Sequence, residues 1–311
     1  MRITKAIFFF LFCCYNAPAD SAKDKKITFS KTSIGIECRI NSICFTSPTM
    51  GYAVGQSNLI IKTTNAGQRW DYLVSGNSGS WLYAVSFPTA DTGYVVGENG
   101  IILKTNNAGK NWKPLPSKTQ DNLFSICFSN PLTGYACGDE GTLVKTTDGG
   151  KTWKRLKAGV SSKLYSIVFI NSSIGYVCGA NGVLLKTENG GDTWKPMETK
   201  TLKTLYSLSF TDSLTGYASG DLGQILKTSD AGLSWVPLKT GTTSTIYSIS
   251  FFGKSLGFAV GDKGTLLITK DLGITWKEEI LGIRSDLFTA FNLDNDIAFI
   301  AGDKGLIFYL K

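Results

Sequence analysis

The 311-residue chain has no histidine and, among its 32 basic residues, only five arginines: Arg2, Arg39, Arg69, Arg155 and Arg284. Without histidine there is no Ser-His-Asp or Cys-His relay and no His-ligated zinc. Extended apolar runs are scarce too. Ala6 to Cys14 is short for a bilayer span; it follows Arg2 and Lys5 and precedes Ala17-Pro18-Ala19. That order reads as a signal peptide over residues 1–22, so the mature chain, 23–311, is expected to be exported as one domain. Phe12 and Cys13 stand before the two leader cysteines where a lipid anchor would need a small residue, so cleavage is expected rather than lipidation.

Cysteine is sparse in the mature chain. Cys38, Cys44, Cys127, Cys137 and Cys178 are an odd set in an oxidising compartment, at strand-like positions where related segments carry Val, Ala or Ser. They read as small core hydrophobes, with Cys127 and Cys137, on neighbouring strands of one hairpin, the single pair to test for a disulfide. The net charge of +8 is carried by lysine. Lys62, Lys104, Lys145, Lys186 and Lys227 recur at one spacing and read as a solvated rim, without the interleaved aromatics of a nucleic-acid surface.

What is present is repetition. Trp70, Trp112, Trp153, Trp194, Trp235 and Trp276 each close a T-x-[DN]-x-G-x-x-W segment, and a Gly-aromatic pair precedes each, from Gly51-Tyr52 to Gly257-Phe258. A fixed period of about 40 to 45 residues built of short strands is that of a β-propeller blade. In one copy Leu164 to Phe169 alternates as a strand, Tyr176 to Gly179 is a second, and Ala180-Asn181-Gly182 turns into Val183 to Thr187. The TxDxG-type turn then leads to a fourth strand after Trp194. The glycine ending the second strand recurs seven times, at Gly55, Gly97, Gly138, Gly179, Gly220, Gly261 and Gly302. The seventh copy stops at Leu310, one strand short, and Ile27-Thr28-Phe29-Ser30 stands where that strand belongs. The expected fold is all-β: a seven-bladed β-propeller of four-stranded antiparallel blades, closed by the N-terminal strand pairing with the C-terminal blade, which removes exposed edges. The small residues Ser42, Ala84, Ser125, Ser166, Ser207, Ser248 and Thr289 fall on the innermost strands, where blades converge.

The turns resemble the Asp-box, or BNR repeat, of sialidases and related propellers. The whole blade, G-Y-x-x-G-x-x-G-x-[IL]-[LV]-K-T-x-[DN]-x-G-x-x-W, resembles the photosystem II stability/assembly factor family over about residues 27–311. The resemblance implies a non-enzymatic, cofactor-free propeller, exported to a thylakoid lumen, periplasm or extracellular space. It also implies a protein client, a membrane-protein precursor, bound through an arginine-rich patch; a monomer is expected and no nucleic acid. Here Arg39, Arg69, Arg155 and Arg284 form no cluster in sequence. A sialidase would need three arginines on its substrate carboxylate, and the four scattered ones do not supply them.

The boxed residues Asn65, Asn107, Asp148, Asn189, Asp230 and Asp271 read as turn builders, since asparagine cannot serve as a general acid. A carbohydrate-active alternative, binder or glycosidase, needs two carboxylates at a suitable separation. The face opposite the Asp-box turns offers Glu37, Asp121 and Asp286 from inter-blade loops and Glu98, Asp139, Glu140, Asp221, Asp262 and Asp303 from hairpins. Recurrence of the hairpin acids points to turn chemistry. The same face carries the irregular positions. Just before the inner strand the blades read Arg39, Trp81, Asn122, Lys163, Thr204, Thr245 and Asp286, with Arg284 two residues earlier. Arg39, Trp81, Lys163 and Arg284 are therefore the expected partner-binding residues, with Arg284, Arg39 and Trp81 expected to converge at the channel mouth.

Overall fold

A computed structural model describes residues 28–35, 37–73, 79–252, 255–293 and 297–310. They form seven four-stranded antiparallel sheets arranged as the blades of a propeller. The inner strands are Ile40–Phe45, Leu82–Ser86, Leu123–Phe128, Leu164–Phe169, Leu205–Phe210, Ile246–Phe252 and Leu287–Asn292, for blades 1 to 7. Six blades follow the chain. Blade 7 instead takes its outer strand from Phe29–Ser33, which pairs with Leu306–Leu310 from Phe29 opposite Leu310 to Ser33 opposite Leu306. The expected strand was Ile27 to Ser30; the observed one begins at Phe29 and runs further, and Ile27 lies outside the described residues. No helix among the described residues is long and apolar enough to cross a membrane.

A three-ring stack joins successive blades. Tyr135 of blade 3 stacks on Phe169 of blade 4 at 3.8 Å, and Trp194 meets Phe169 edge-on at 6.0 Å. Burying such rings removes a large apolar area from water and adds their favourable pair geometry. The tyrosine hydroxyl then reaches the next blade's Asp-box turn: Tyr94 donates to the Gly149 carbonyl at 2.7 Å and Tyr176 to Ala231 at 2.7 Å. Three of the recurrent lysines join them. Lys104 donates to the same Gly149 carbonyl at 2.6 Å, Lys62 to Ala108 and Lys227 to Leu272. This corrects the solvated-rim reading for these three, because the turn of the following blade supplies a backbone acceptor; Lys145 pairs with Asp192 of the following blade and Lys186 with Glu188 of its own. Blade 6 carries Phe258 and Ile268 at these two positions, opposite each other in register. They face blade 7, which has no such turn among the described residues.

Within each turn threonine and Asp or Asn do the work expected of them. Thr146 donates to Asp148 at 2.9 Å and accepts from the Gly150 N–H at 2.8 Å, while Asp148 accepts from the Thr152 N–H at 2.9 Å. Asn189 accepts from Thr193 N–H at the same distance, so the amide serves as well as the acid. Around the axis the small residues hold the inner strands together. The hydroxyls of Ser125, Ser166 and Ser207 accept the N–H groups of Ile167, Leu208 and Ile249 in the following blades. The five cysteines among the described residues are free, and Cys127 sits opposite Tyr135 while Cys137 sits opposite Ser125. Burial raises the thiols of both, Cys127 to about 12.

Candidate functional site

Every inner strand has a β-bulge near its start, between the first and third residues of the strand. The residue inside the bulge is Tyr83, Phe124, Tyr165, Tyr206, Tyr247 or Phe288 in blades 2 to 7, and Asn41 in blade 1. A bulge re-aims the side chain it carries. Here it sets six aromatic rings side by side, with neighbouring centroids 5.2, 5.2, 5.0, 5.4 and 5.1 Å apart from Tyr83 round to Phe288. The rings are half-buried and line the end of the axial channel from which the second hairpins emerge.

Arg39 fills the gap in this girdle. Its guanidinium lies 3.9 Å from the centroid of Phe288 and 5.3 Å from that of Trp81, and its Nε donates to Asp303 at 3.1 Å. A guanidinium between two aromatic faces with a carboxylate at its edge is held by cation–π attraction and a charge-assisted hydrogen bond together. Trp81 in turn approaches Tyr83 at 6.4 Å. Of the residues expected to converge, Arg39 and Trp81 do so. Arg284 is exposed and makes no ion pair or ring contact among the described residues. Lys163 takes its own place in the girdle, over Phe124 at 5.9 Å and paired with Asp139 at 2.9 Å.

The backbone explains how these side chains are delivered. The glycine after each second strand lets the hairpin reach the carbonyl just before the inner strand, as in the Gln56 N–H to Arg39 carbonyl bond of 2.9 Å. A Cβ at Gly55 would stand 1.9 Å from that oxygen, so no other residue fits. On the far side the Gly305 N–H donates to the Cys38 carbonyl at 2.7 Å, pinning the segment that leads from the closing strand to Arg39.

The hairpin acids are tied into this frame. Glu98 accepts the Trp81 N–H at 2.9 Å, Asp221 the Thr204 N–H and Asp262 the Thr245 N–H at 3.2 Å each, and Asp139 the Asn122 amide. Asp121 is held below the ordinary carboxylate range, first by the Thr142 hydroxyl, with Thr119 and Arg155 adding to it against partial desolvation. Asp286 accepts the Lys263 N–H at 2.8 Å, and Glu37 is exposed. A glycosidase acid needs a raised carboxyl; the carboxyls that leave their ordinary range here, Asp121, Asp148 and Asp230 among them, leave it downwards. The girdle tyrosines are shifted the other way. Burial, then the charge of Glu98, pushes Tyr83 up to about 12, and burial, then Asp221, does the same to Tyr206. No cluster of His, Cys, Asp or Glu among the described residues could hold a metal ion. A shallow cavity of about 460 Å³, lined by Lys203, Leu222 and Thr240 to Thr243, opens outside the girdle beside blade 5.

The aromatic girdle was not among the residues the sequence pointed to. Its signal was there as [LI]-[YF]-[AST], six times in seven, but it reads as ordinary strand alternation until the bulge is known.

Comparisons place this geometry among known proteins. A family model described as photosynthesis system II assembly factor YCF48 matches residues 21–122, 115–188 and 234–311. A solved structure of YCF48 bound to D1 peptide is 22% identical, with 90% of this chain and 96% of that one aligned and a TM-score of 0.77. YCF48 from Cyanidioschyzon merolae is 18% identical over 90% of this chain and 98% of its own, also at 0.77. An ancestral GH74 enzyme aligns at 15% identity and a TM-score of 0.73, over 88% of this chain but 45% of the enzyme. At these identities the solved structures share the fold. No curated protein matches the chain.

Proposed function

The chain belongs to the photosystem II assembly factor YCF48 family, and from that premise we propose that it is an exported, non-enzymatic propeller. In this reading it captures a peptide segment of a protein client at the girdle mouth. The observation that carries the reading is Arg39 stacked between Phe288 and Trp81 at the one interruption of the girdle. Residues that recur in every blade are accounted for by the blade. Arg39 and Trp81 recur in none, are part-exposed, and have the composition of an interface anchor. A relative bound to a D1 peptide supports a peptide client. The leader-like residues 1–22 support export to a periplasm, thylakoid lumen or extracellular space.

Titration of the mature protein with a D1 peptide and a panel of peptides from exported segments of membrane proteins tests this. Wild type is expected to bind a subset, and Arg39→Ala with Trp81→Ala to weaken that binding roughly tenfold or more while the melting transition stays within a few degrees. Equal binding by the double variant would place the site elsewhere. Hydrolysis of xyloglucan by wild type, lost in Asp121→Asn or Asp286→Asn, would move the assignment to the GH74-like alternative.

A further inference from the structure

The two cations already on the girdle share one construction. Arg39, just before the inner strand of blade 1, lies on the girdle ring and hairpin carboxylate of the preceding blade, Phe288 and Asp303. Lys163, at the same position of blade 4, lies on Phe124 and Asp139 of blade 3. Ring, carboxylate and cation are thus contributed across a blade joint in the same way twice.

Blades 5 and 6 repeat the ring and the carboxylate, as Tyr206 with Asp221 and Tyr247 with Asp262, yet the position that supplies the cation is Thr245 in one joint and Asp286 in the other. Neither Asp221, Asp262 nor Asp286 makes an ion pair among the described residues. Lys263 meets Asp286 through its backbone N–H, and Arg284 is exposed nearby. The rings themselves are part-exposed, 5.4 Å apart, and both tyrosines are held above the ordinary phenol range by burial and by these carboxylates.

We propose that the Tyr206–Asp221 and Tyr247–Asp262 pairs receive guanidinium or ammonium side chains of the client, placed there as Arg39 and Lys163 are placed in their own joints. This rests on the peptide-binding reading above and narrows it. The client segment carries arginine or lysine residues toward blades 5 and 6. A cation over an aromatic face with a carboxylate beside it is favourable where water is partly excluded.

The test is an array of N-acetylated, C-amidated 12-residue peptides of mixed sequence, each basic member accompanied by a copy with Arg and Lys changed to Gln, probed with the full chain. Wild type is expected to favour the basic copies. Thr245→Lys, which builds the Lys163 arrangement into the joint of blades 5 and 6, and Asp262→Asn should each weaken that preference about three- to tenfold. Leu233→Lys is the control: it adds the same charge at an exposed position of an Asp-box turn on the opposite face, and should leave the preference unchanged. Binding that is indifferent to the Gln copies, or a Thr245→Lys protein that binds basic peptides as wild type does, overturns the inference and leaves the client reading intact. Failure of wild type to bind any peptide overturns both.

Discussion

The two faces of the disc are made from the same repeats and end up as opposites. On the Asp-box face the recurrent tyrosine hydroxyls each meet a backbone acceptor one blade on. The Tyr94 hydroxyl and Lys104 ammonium converge on one Gly149 carbonyl, and Thr146, Asp148 and Thr152 close the turn on itself. On the girdle face the bulges leave six aromatic rings part-exposed, and the residues that cover them differ from joint to joint: Arg39, Asn122, Lys163, Thr204, Thr245 and Asp286. Uniformity on one face serves stability. Variation on the other is what a binding surface needs, because a ring of identical joints would offer any ligand seven equal places.

The largest effect is expected where the two roles meet. Deleting residues 28–33 removes the partner of Leu306–Leu310 and exposes an edge strand. It should lower the melting temperature by at least about 10 °C or cause aggregation. It should also impair peptide binding, because the Cys38 carbonyl that helps fix Arg39 lies on the segment leading from that strand. An unchanged melting temperature would show that the strand does not close the ring.

Trp153→Ala comes next. The side chain is 2% exposed and edge-on to Phe128, so its loss should cost about 3 to 5 kcal/mol in chemical denaturation. Trp81→Ala on the other face should cost far less stability and more binding. If the two changes were equally destabilising, the separation of the faces would fail.

Much of the fold was legible in the sequence, because glycine, tryptophan and TxDxG punctuation each answer a local requirement. Gly55 and its six equivalents allow a backbone approach that a Cβ forbids, and such a need repeats with the blade. The closing strand was legible from the strand missing at Leu310. The girdle was not, since hydrophobic alternation does not reveal that a bulge turns Tyr206 away from the pattern of Leu205 and Ser207. Nor was the role of Lys62, Lys104 and Lys227, whose acceptors lie 45 or 46 residues onward. Arg284 was expected beside Arg39 from blade order alone, and its loop leaves it exposed.

Smaller changes sharpen the same comparison. Tyr176→Phe deletes the hydroxyl that donates to the Ala231 carbonyl and should cost about 1 kcal/mol in the denaturation midpoint. Phe258→Tyr should not stabilise, because blade 7 has no turn among the described residues to accept the new hydroxyl. A gain there would contradict the account of the joints. The smallest effect is acid sensitivity. Asp148 and Asp230 are held at about 2, first by the hydroxyls of Thr152 and Ser234 and then by their N–H groups. A carboxyl lowered in the folded state stabilises above its unfolded value and ceases to as pH falls through its folded one. The melting temperature should therefore decline between about pH 4 and pH 2, less steeply in Asp148→Asn with Asp230→Asn, and equal slopes would refute it.

The most direct test of client capture at the girdle is site-specific photo-crosslinking from each face in the native host. A photoreactive amino acid is placed at Trp81 on one face or at the exposed Leu233 of an Asp-box turn on the other. Crosslinked client is expected from position 81 and not from position 233; client captured from position 233 alone would contradict it.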